Sequence, residues 1–292
     1  MARGTPILFT MQRIDGRLIY SASDLNDFLD CARLSELERA VAMGEGERPE
    51  RSAQALLIAE KGLEHEQRHL ELLKRRHRDV VTIEEPVRGS LAAIERAAEE
   101  THQAMKGGAA IIYQGVFFDG TWLGKSDFLL RVDEPSQHWP WSYEVADTKL
   151  ALSTKPYFIV QLSFYSAQLA RVQGSSPAWM HVILGDGRQE RYRVDEFAAY
   201  VRRLKRRFEA DAAGAAESYP WPNDHCNICP WNAACEARRE RDDHLTLVAR
   251  IRRDQIKKLQ TNGIQTTGAL AAASESERPP SMAAATFGTL HR

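Results

Sequence analysis

Asp147 and Lys149 stand two residues apart in Trp141-Ser-Tyr-Glu-Val-Ala-Asp-Thr-Lys149. They follow a short apolar run, Tyr143 to Ala146, whose residue types are those of a buried strand. Residues two apart on a strand point to one face. A carboxylate and an ammonium on one face at a strand end can hold a metal ion and a scissile phosphate together. A second carboxylate, Asp127, closes Gly124-Lys-Ser-Asp127 inside another apolar run, Trp122 to Val132. His65 offers an imidazole and Thr148 a backbone carbonyl, so His65, Asp127, Asp147 and Thr148 are the candidate metal ligands. Lys149 would orient the attacking water and offset transition-state charge. Gln161 and Tyr165, one helical turn apart, complete the catalytic candidates. Taken singly these residues carry little: a lone histidine on an amphipathic helix is more often packed in a core, and Asp-x-Lys arises readily by chance. Metal-assisted hydrolysis of a phosphodiester requires them jointly.

The cysteines form a second constellation. Cys226, Cys229 and Cys235 cluster late in the chain, and Cys31 stands alone far upstream, so every cysteine is used. Zinc accepts four thiolates, but structural zinc sites usually pair their ligands locally at both ends. A 4Fe–4S cluster also takes four thiolates, and a Cys-Pro step such as Cys229-Pro230 is common around such clusters.

The elements that must position these groups are legible as an alternation. Residues 7 to 20 read as a short strand pair around Asp15-Gly16. Ser21-Ala-Ser23-Asp24 caps a helix that carries Leu25, Phe28 and Leu29 at helical spacing, with Cys31 near its end. A polar break from Met43 to Glu50 precedes a helix from Ser52 to Arg76, with Leu56, Leu63, Leu70 and Leu73 expected on one side. Val80 to Ile83 reads as a strand, and Ser90 to Lys106 as a helix ended by Gly107-Gly108. Ala109 to Phe118 and Trp122 to Val132 form a hairpin around Asp119-Gly120. Lys155-Pro156 opens a helix to about Val172. Trp179 to Leu184 and Gln189 to Val194 form another hairpin around Asp186-Gly187, and Asp195 is expected to cap a helix running to Ala213. This pattern implies an α/β core with a mixed central sheet flanked by helices. No Gly-rich phosphate loop is present, so no nucleotide site is expected.

The order of the groups resembles the RecB-type branch of the PD-(D/E)XK nucleases. His65 in a helix, Gly-x-x-Asp127 on a hairpin strand, Asp147-x-Lys149 and Gln161-x-x-x-Tyr165 match that pattern, and Ser21-x-Ser23-x-Leu25-x-x-Phe28-x-x-Cys31 resembles its N-terminal signature. The resemblance spans about residues 18 to 245. It implies a restriction-endonuclease-like core and a Mg²⁺- or Mn²⁺-dependent deoxyribonuclease, with exonuclease action favoured over endonuclease, in DNA repair, recombination or CRISPR-type processing. It also implies that Gln161 and Tyr165 contact DNA and shape the site. The one-plus-three cysteine spacing is similar to the iron–sulfur members of that branch, the AddB nuclease domain and the CRISPR-associated exonucleases. By that likeness Cys31, Cys226, Cys229 and Cys235 bind a 4Fe–4S cluster that staples the first helix to the segment after the last. Within the branch, the chain is most similar to RecB-like nucleases that precede a helicase or second nuclease region, so a helicase domain or partner, in a longer chain, is an expectation. Glu144 lies three before Asp147, on the opposite strand face, and ranks behind it.

The composition is that of an ordinary globular chain, 43% hydrophobic and 27% charged with a net charge of −1. No global basicity points to nucleic acid. Locally, Arg188 to Arg207 holds eight Arg or Lys against three acids; it is either a solvated helix face or, with Tyr165, a grip on single-stranded ends. No apolar run reaches membrane-spanning length and no secretory signal is evident, so a cytoplasmic protein with no membrane partner is expected. The expected organisation is a nuclease domain over 1–245, a helix-hairpin-helix-like unit over 246–272, equally readable as a plain helical hairpin, and a linker over 273–292. Two other readings stay open: a DNA-binding adaptor that cleaves poorly alone, and a zinc-stapled nucleic-acid binder.

Overall fold

The computed structural model describes residues 10–50, 52–214 and 217–290. The chain divides into two units, Met1–Glu47 with Arg51–Glu217, and Arg48–Glu50 with Ser218–Arg292.

The first unit opens with the hairpin β1 (Gln12–Ile14) and β2 (Arg17–Ser21), turned by Asp15 and Gly16. Residues 7–9 of the expected strand pair lie outside the described residues. Helix α1 (Ala22–Asp30) starts at Ser21, where the buried Asp24 carboxylate accepts from the Ser21 amide at 2.6 Å and the Met11 amide at 2.8 Å. Cys31 ends α1 in an extended conformation and begins α2 (Ala32–Met43). Then follow α3 (Ala53–Arg76), β3 (Val80–Thr82), α4 (Leu91–Lys106), β4 (Ile111–Phe118), β5 (Trp122–Val132), β6 (Ser142–Thr148), α5 (Pro156–Gln173), β7 (Trp179–Ile183), β8 (Gln189–Arg193) and α6 (Val194–Ala213). Strand β6 is longer than the apolar run alone implies and includes Asp147. Asp195 lies in the first turn of α6, whose cap position is Arg193.

The eight strands form one mixed sheet, ordered β1-β2-β5-β6-β7-β8, with β3 and β4 on the other side of β5. One face carries the main core, where α1, α4, α5 and α6 pack Leu25, Ile94, Met105, Leu162 and Phe208 against Phe117, Leu129, Tyr143 and Val182. The other face is covered by α3, with Leu70 and Leu73 on Ile111, Tyr113, Phe128, Ala146 and Ile183. The expected four-leucine stripe is only half used, since Leu56 and Leu63 are 41% and 40% exposed. The first turns of α3 are largely exposed among the described residues.

Strand β5 takes two partners end to end along one edge. Parallel β2 pairs at Trp122 and Leu123, and antiparallel β6 pairs from Phe128 to Val132. The intervening residues, Gly124 to Asp127, therefore face a gap in the ladder. Past β6, a Cβ on Gly185 would lie 2.3 Å from the Leu150 carbonyl oxygen, and the Gly185 amide donates to Ala151 at 3.0 Å. Gly185→Ala must push apart the loop that follows Lys149, and a loss of about 1–3 kcal/mol is expected in denaturant unfolding.

The second unit is helical, with a 3₁₀ turn at Asp224–Asn227, then α7 (Asn232–Arg241), α8 (Arg253–Thr261), α9 (Thr267–Ala272) and α10 (Ala284–Leu290). Leu245, Ile256, Leu259, Ile264 and Leu270 form its core together with Met282 and Phe287. The segment expected as a linker from residue 273 thus contributes Ala273, Met282 and Phe287 to this core. Gly263, at φ 88°, makes the turn between α8 and α9. Among the described residues, no helix is long and apolar enough to cross a membrane.

Candidate active site

The acids meet where β5 and β6 part. The pair Phe128↔Ala146 is the first of the β5–β6 ladder, so one step further sets Asp127 level with Asp147. Backbone partners end here and carboxylates take their place: the Asp127 amide donates to Asp147 Oδ1 at 3.3 Å, and the Thr148 amide donates to Asp127 Oδ2 at 2.7 Å. The Thr148 hydroxyl donates to the same oxygen at 2.7 Å. Lys149 Nζ bonds Asp147 Oδ2. Two carboxylates side by side across a ladder repel, and Lys149 is the cation that partly offsets them.

On the other side of β5, the pairs Tyr113↔Phe128 and Gly115↔Ser126 bring Gln114 level with Asp127. Gln114 sits at φ 60°, a strained position for a side-chain-bearing residue. Its amide bonds Glu66 Oε1, which also accepts from the Tyr113 hydroxyl at 2.7 Å, while Gln67 Nε2 donates to that hydroxyl at 2.7 Å. Glu66 is thus a third acid of the site, buried like Asp147 and beside the half-buried Asp127, and the motif order did not indicate it. One signal was available: Glu66, Leu70 and Leu73 are spaced i, i+4 and i+7, so an apolar stripe read backwards from the two leucines ends on Glu66.

The electrostatics follow from this crowding. Burial, then the Asp127 charge, pushes the Glu66 carboxyl up to about 8. Burial and Asp127 likewise raise Asp147 to about 7, against the pull of Lys149. For Lys149 burial works downward, and Asp147 and Asp127 outweigh it, so its pKa is raised and it stays charged.

The remaining candidates fall as follows. Gln161 Nε2 donates to the Tyr165 hydroxyl at 2.9 Å. The Tyr165 ring packs where a Cβ on Gly124 would lie 3.3 Å from it, so Gly124 leaves room for it beside the acids. Burial and the Asp147 charge raise the Tyr165 pKa, so its hydroxyl keeps its proton. His65 is 7% exposed and its buried Nε2 has no hydrogen-bond partner. His69, one turn on, stacks edge-on against Phe128 at 5.1 Å. Glu144 is spoken for: it pairs with His181 Nε2 at 2.7 Å and accepts from the Trp179 amide at 3.1 Å.

Each cysteine is half-buried. Cys31 belongs to the first unit. Cys226, Cys229 and Cys235 belong to the second, on successive turns in which the Cys229 amide donates to the Cys226 carbonyl at 3.4 Å and the Cys235 amide to the Trp231 carbonyl at 3.1 Å. Among the described residues, no three His, Cys, Asp or Glu side chains stand as a ready-made metal-ligand group. What the acids and Lys149 can do chemically is bind a divalent cation, hold a phosphate next to a fixed ammonium, and accept a proton from water. No protein-family model matches this chain, and no curated protein matches it.

Proposed function

We propose that the first unit is a metal-dependent deoxyribonuclease of the RecB-like PD-(D/E)XK kind, acting at single-stranded ends or flaps. The observation that carries the reading is the row formed by Asp127 and Asp147 level across β5 and β6, with Lys149 bonded to Asp147. A divalent ion suits the donor set on two grounds. The buried His65 Nε2 lacks a partner, and the acids of the site are crowded beyond what Lys149 beside Asp147 and Lys125 near Glu66 offset. His65, Asp127 and Asp147, with the Thr148 carbonyl, would hold Mg²⁺ or Mn²⁺, and Glu66 adds a carboxylate beside them. When bound, the ion polarises the phosphate and lowers the pKa of water. Lys149 orients that water and carries positive charge where the transition state gains negative charge. Thr148 holds Asp127 in place through two hydrogen bonds to one oxygen. Tyr165 and Gln161 line the site as hydrogen-bonding groups for the DNA.

Cys31, Cys226, Cys229 and Cys235 have the donor chemistry of a 4Fe–4S site, and the cluster is proposed on that chemistry alone, as a structural group; no catalytic step runs through it. The deciding experiment uses protein purified without oxygen and a single-stranded DNA labelled at its 5′ or 3′ end, with Mn²⁺ or EDTA. Metal-dependent product is expected, and the two ladders give the polarity. Intact protein that binds DNA but yields no product would move the reading to an adaptor of a larger helicase–nuclease. Iron and sulfide in stoichiometric amounts, lost in Cys229→Ala, are the expected signature of the cluster; bound zinc in place of iron would sink it.

A further inference from the structure

Strand β8 ends the sheet, with no strand beyond it among the described residues. It carries Arg191 and Arg193 of the basic stretch, and Arg188 immediately precedes it. Arg188 pairs with Asp186 at 2.7 Å and Arg193 with Asp195 at 2.6 Å. The Arg191 side chain has no ion pair or hydrogen bond among the described residues and is exposed. Its guanidinium lies over the Trp179 ring at 4.4 Å from the centroid, and that of Arg193 lies 5.7 Å from the same ring. The register explains the stack: Trp179 is opposite Arg193 and His181 opposite Arg191, so Arg191 reaches Trp179 along the diagonal.

The base of this stack is fixed. Glu144 accepts from the Trp179 amide at 3.1 Å and from His181 at 2.7 Å, and Gln189 bonds the other nitrogen of His181 at 3.0 Å. These bonds tie β6, β7 and β8 together directly beneath the indole and guanidinium. A planar cation held flat on an aromatic ring, with its outer face and N–H edges open, has two complementary uses on nucleic acid. The plane stacks an unpaired base, and the edges bond phosphate. An acidic peptide would use only the charge.

We propose that Trp179 and Arg191 form a stacking platform for one unpaired base of single-stranded DNA. This deepens and rests on the nuclease reading, since Asp147 is level with Val182 and Trp179 lies three residues back along β7, about 10 Å along the sheet. The platform stands on the sheet face that α3 covers, because Trp179, His181 and the core residue Ile183 alternate onto that face. Asp147 alternates with the core residues Tyr143 and Val145 onto the opposite face, where Lys149 lies over Phe158 of α5, so a strand held on the platform would reach the acids by passing around the end of β6.

The test is fluorescence anisotropy in EDTA with a labelled oligothymidylate and its fully abasic counterpart. Full-length wild-type protein is compared with Arg191→Ala, Arg191→Lys, Trp179→Ala and Arg96→Ala, an exposed arginine on α4 that controls for charge. The expected result is about tenfold tighter binding of the base-bearing strand. Arg191→Lys, which keeps the charge but not the plane, should abolish that preference, as should Arg191→Ala; Arg96→Ala should retain it. Equal binding of both strands, full preference in Arg191→Lys, or no binding by the wild type would each overturn the platform. Competition by polyglutamate as strong as by DNA would do so too. Arg191 is exposed on an edge strand, so these arms do not depend on whether Trp179→Ala folds. Metal-dependent cleavage with no base preference leaves the nuclease standing without the platform. Base-dependent binding without any cleavage does the reverse.

Discussion

Asp127→Asn is expected to lower Mn²⁺-dependent cleavage by about 100- to 1,000-fold, the scale of one removed electrostatic contact at a reacting phosphate, and to leave the protein folded. The amide oxygen of asparagine can still accept from the Thr148 amide and hydroxyl, which both bond Asp127 Oδ2 in the wild type. The substitution also removes a charge that repels Asp147 and Glu66, so the melting temperature should hold or rise. Lys149→Ala should be as inactive for a different reason. It strips Asp147 of its cation, and the carboxyl then takes up a proton rather than remain charged in a buried position. Activity in a single-turnover assay and a thermal melt on the same preparations separate the two cases. An Asp127→Asn enzyme that cleaves at the wild-type rate would remove Asp127 from the site.

The metal-free protein should lose stability as pH rises from about 5 to 8, and Mn²⁺ should restore it. Glu66 and Asp147 are raised from ordinary values of 4.5 and 3.8 to about 8 and about 7. Between those limits the folded protein holds protons that the unfolded chain has released, so the slope of stability with pH is negative there. Well below the unfolded values of 3.8 and 4.5 both states are protonated and the difference in protons bound vanishes. A divalent ion that binds the ionised carboxylates supplies the positive charge instead of the proton. For Glu66 the difference between pH 5.5 and 8 is on the order of 3 kcal/mol, roughly 6–12 °C in Tm for a unit of this size. Glu66→Gln removes the titrating group while keeping an acceptor for the Tyr113 hydroxyl, so its melt in EDTA should depend less on pH than that of the wild type. Parallel pH profiles for the two proteins, with no response to Mn²⁺, would refute the crowded-acid account.

Local chemistry settled much of the architecture. Asp119-Gly120 and Asp186-Gly187 mark the turns of the two hairpins, because a tight turn at positive φ needs glycine, and both glycines have it. Pro156 opens α5 where its missing amide proton has no helical partner to lose. The period of two puts Asp147 and Lys149 on one side of a strand without any knowledge of its neighbours. The leucines of α3 show where this reasoning ends: spacing names a face, but only the packing of the helix on the sheet decides that Leu70 and Leu73 are covered while Leu56 and Leu63 are not.

The amino-acid sequence by itself determined the elements, their order, and the local spacing of Asp127, Asp147, Lys149, Gln161 and Tyr165. Register was decided only in three dimensions, since pairing energy is shared over a whole ladder and no single residue encodes it. Register sets Asp127 level with Asp147 and Gln114 level with Asp127, and it opens the gap in β5 that the carboxylates occupy. Helix placement brings Glu66 from α3 to the same point, and the β7–β8 pairing lays Arg191 on Trp179. The burial of Met282 and Phe287 in the second unit is of the same kind, because a segment rich in Ser, Pro and Ala reads as a linker until a core is there to receive its few large side chains.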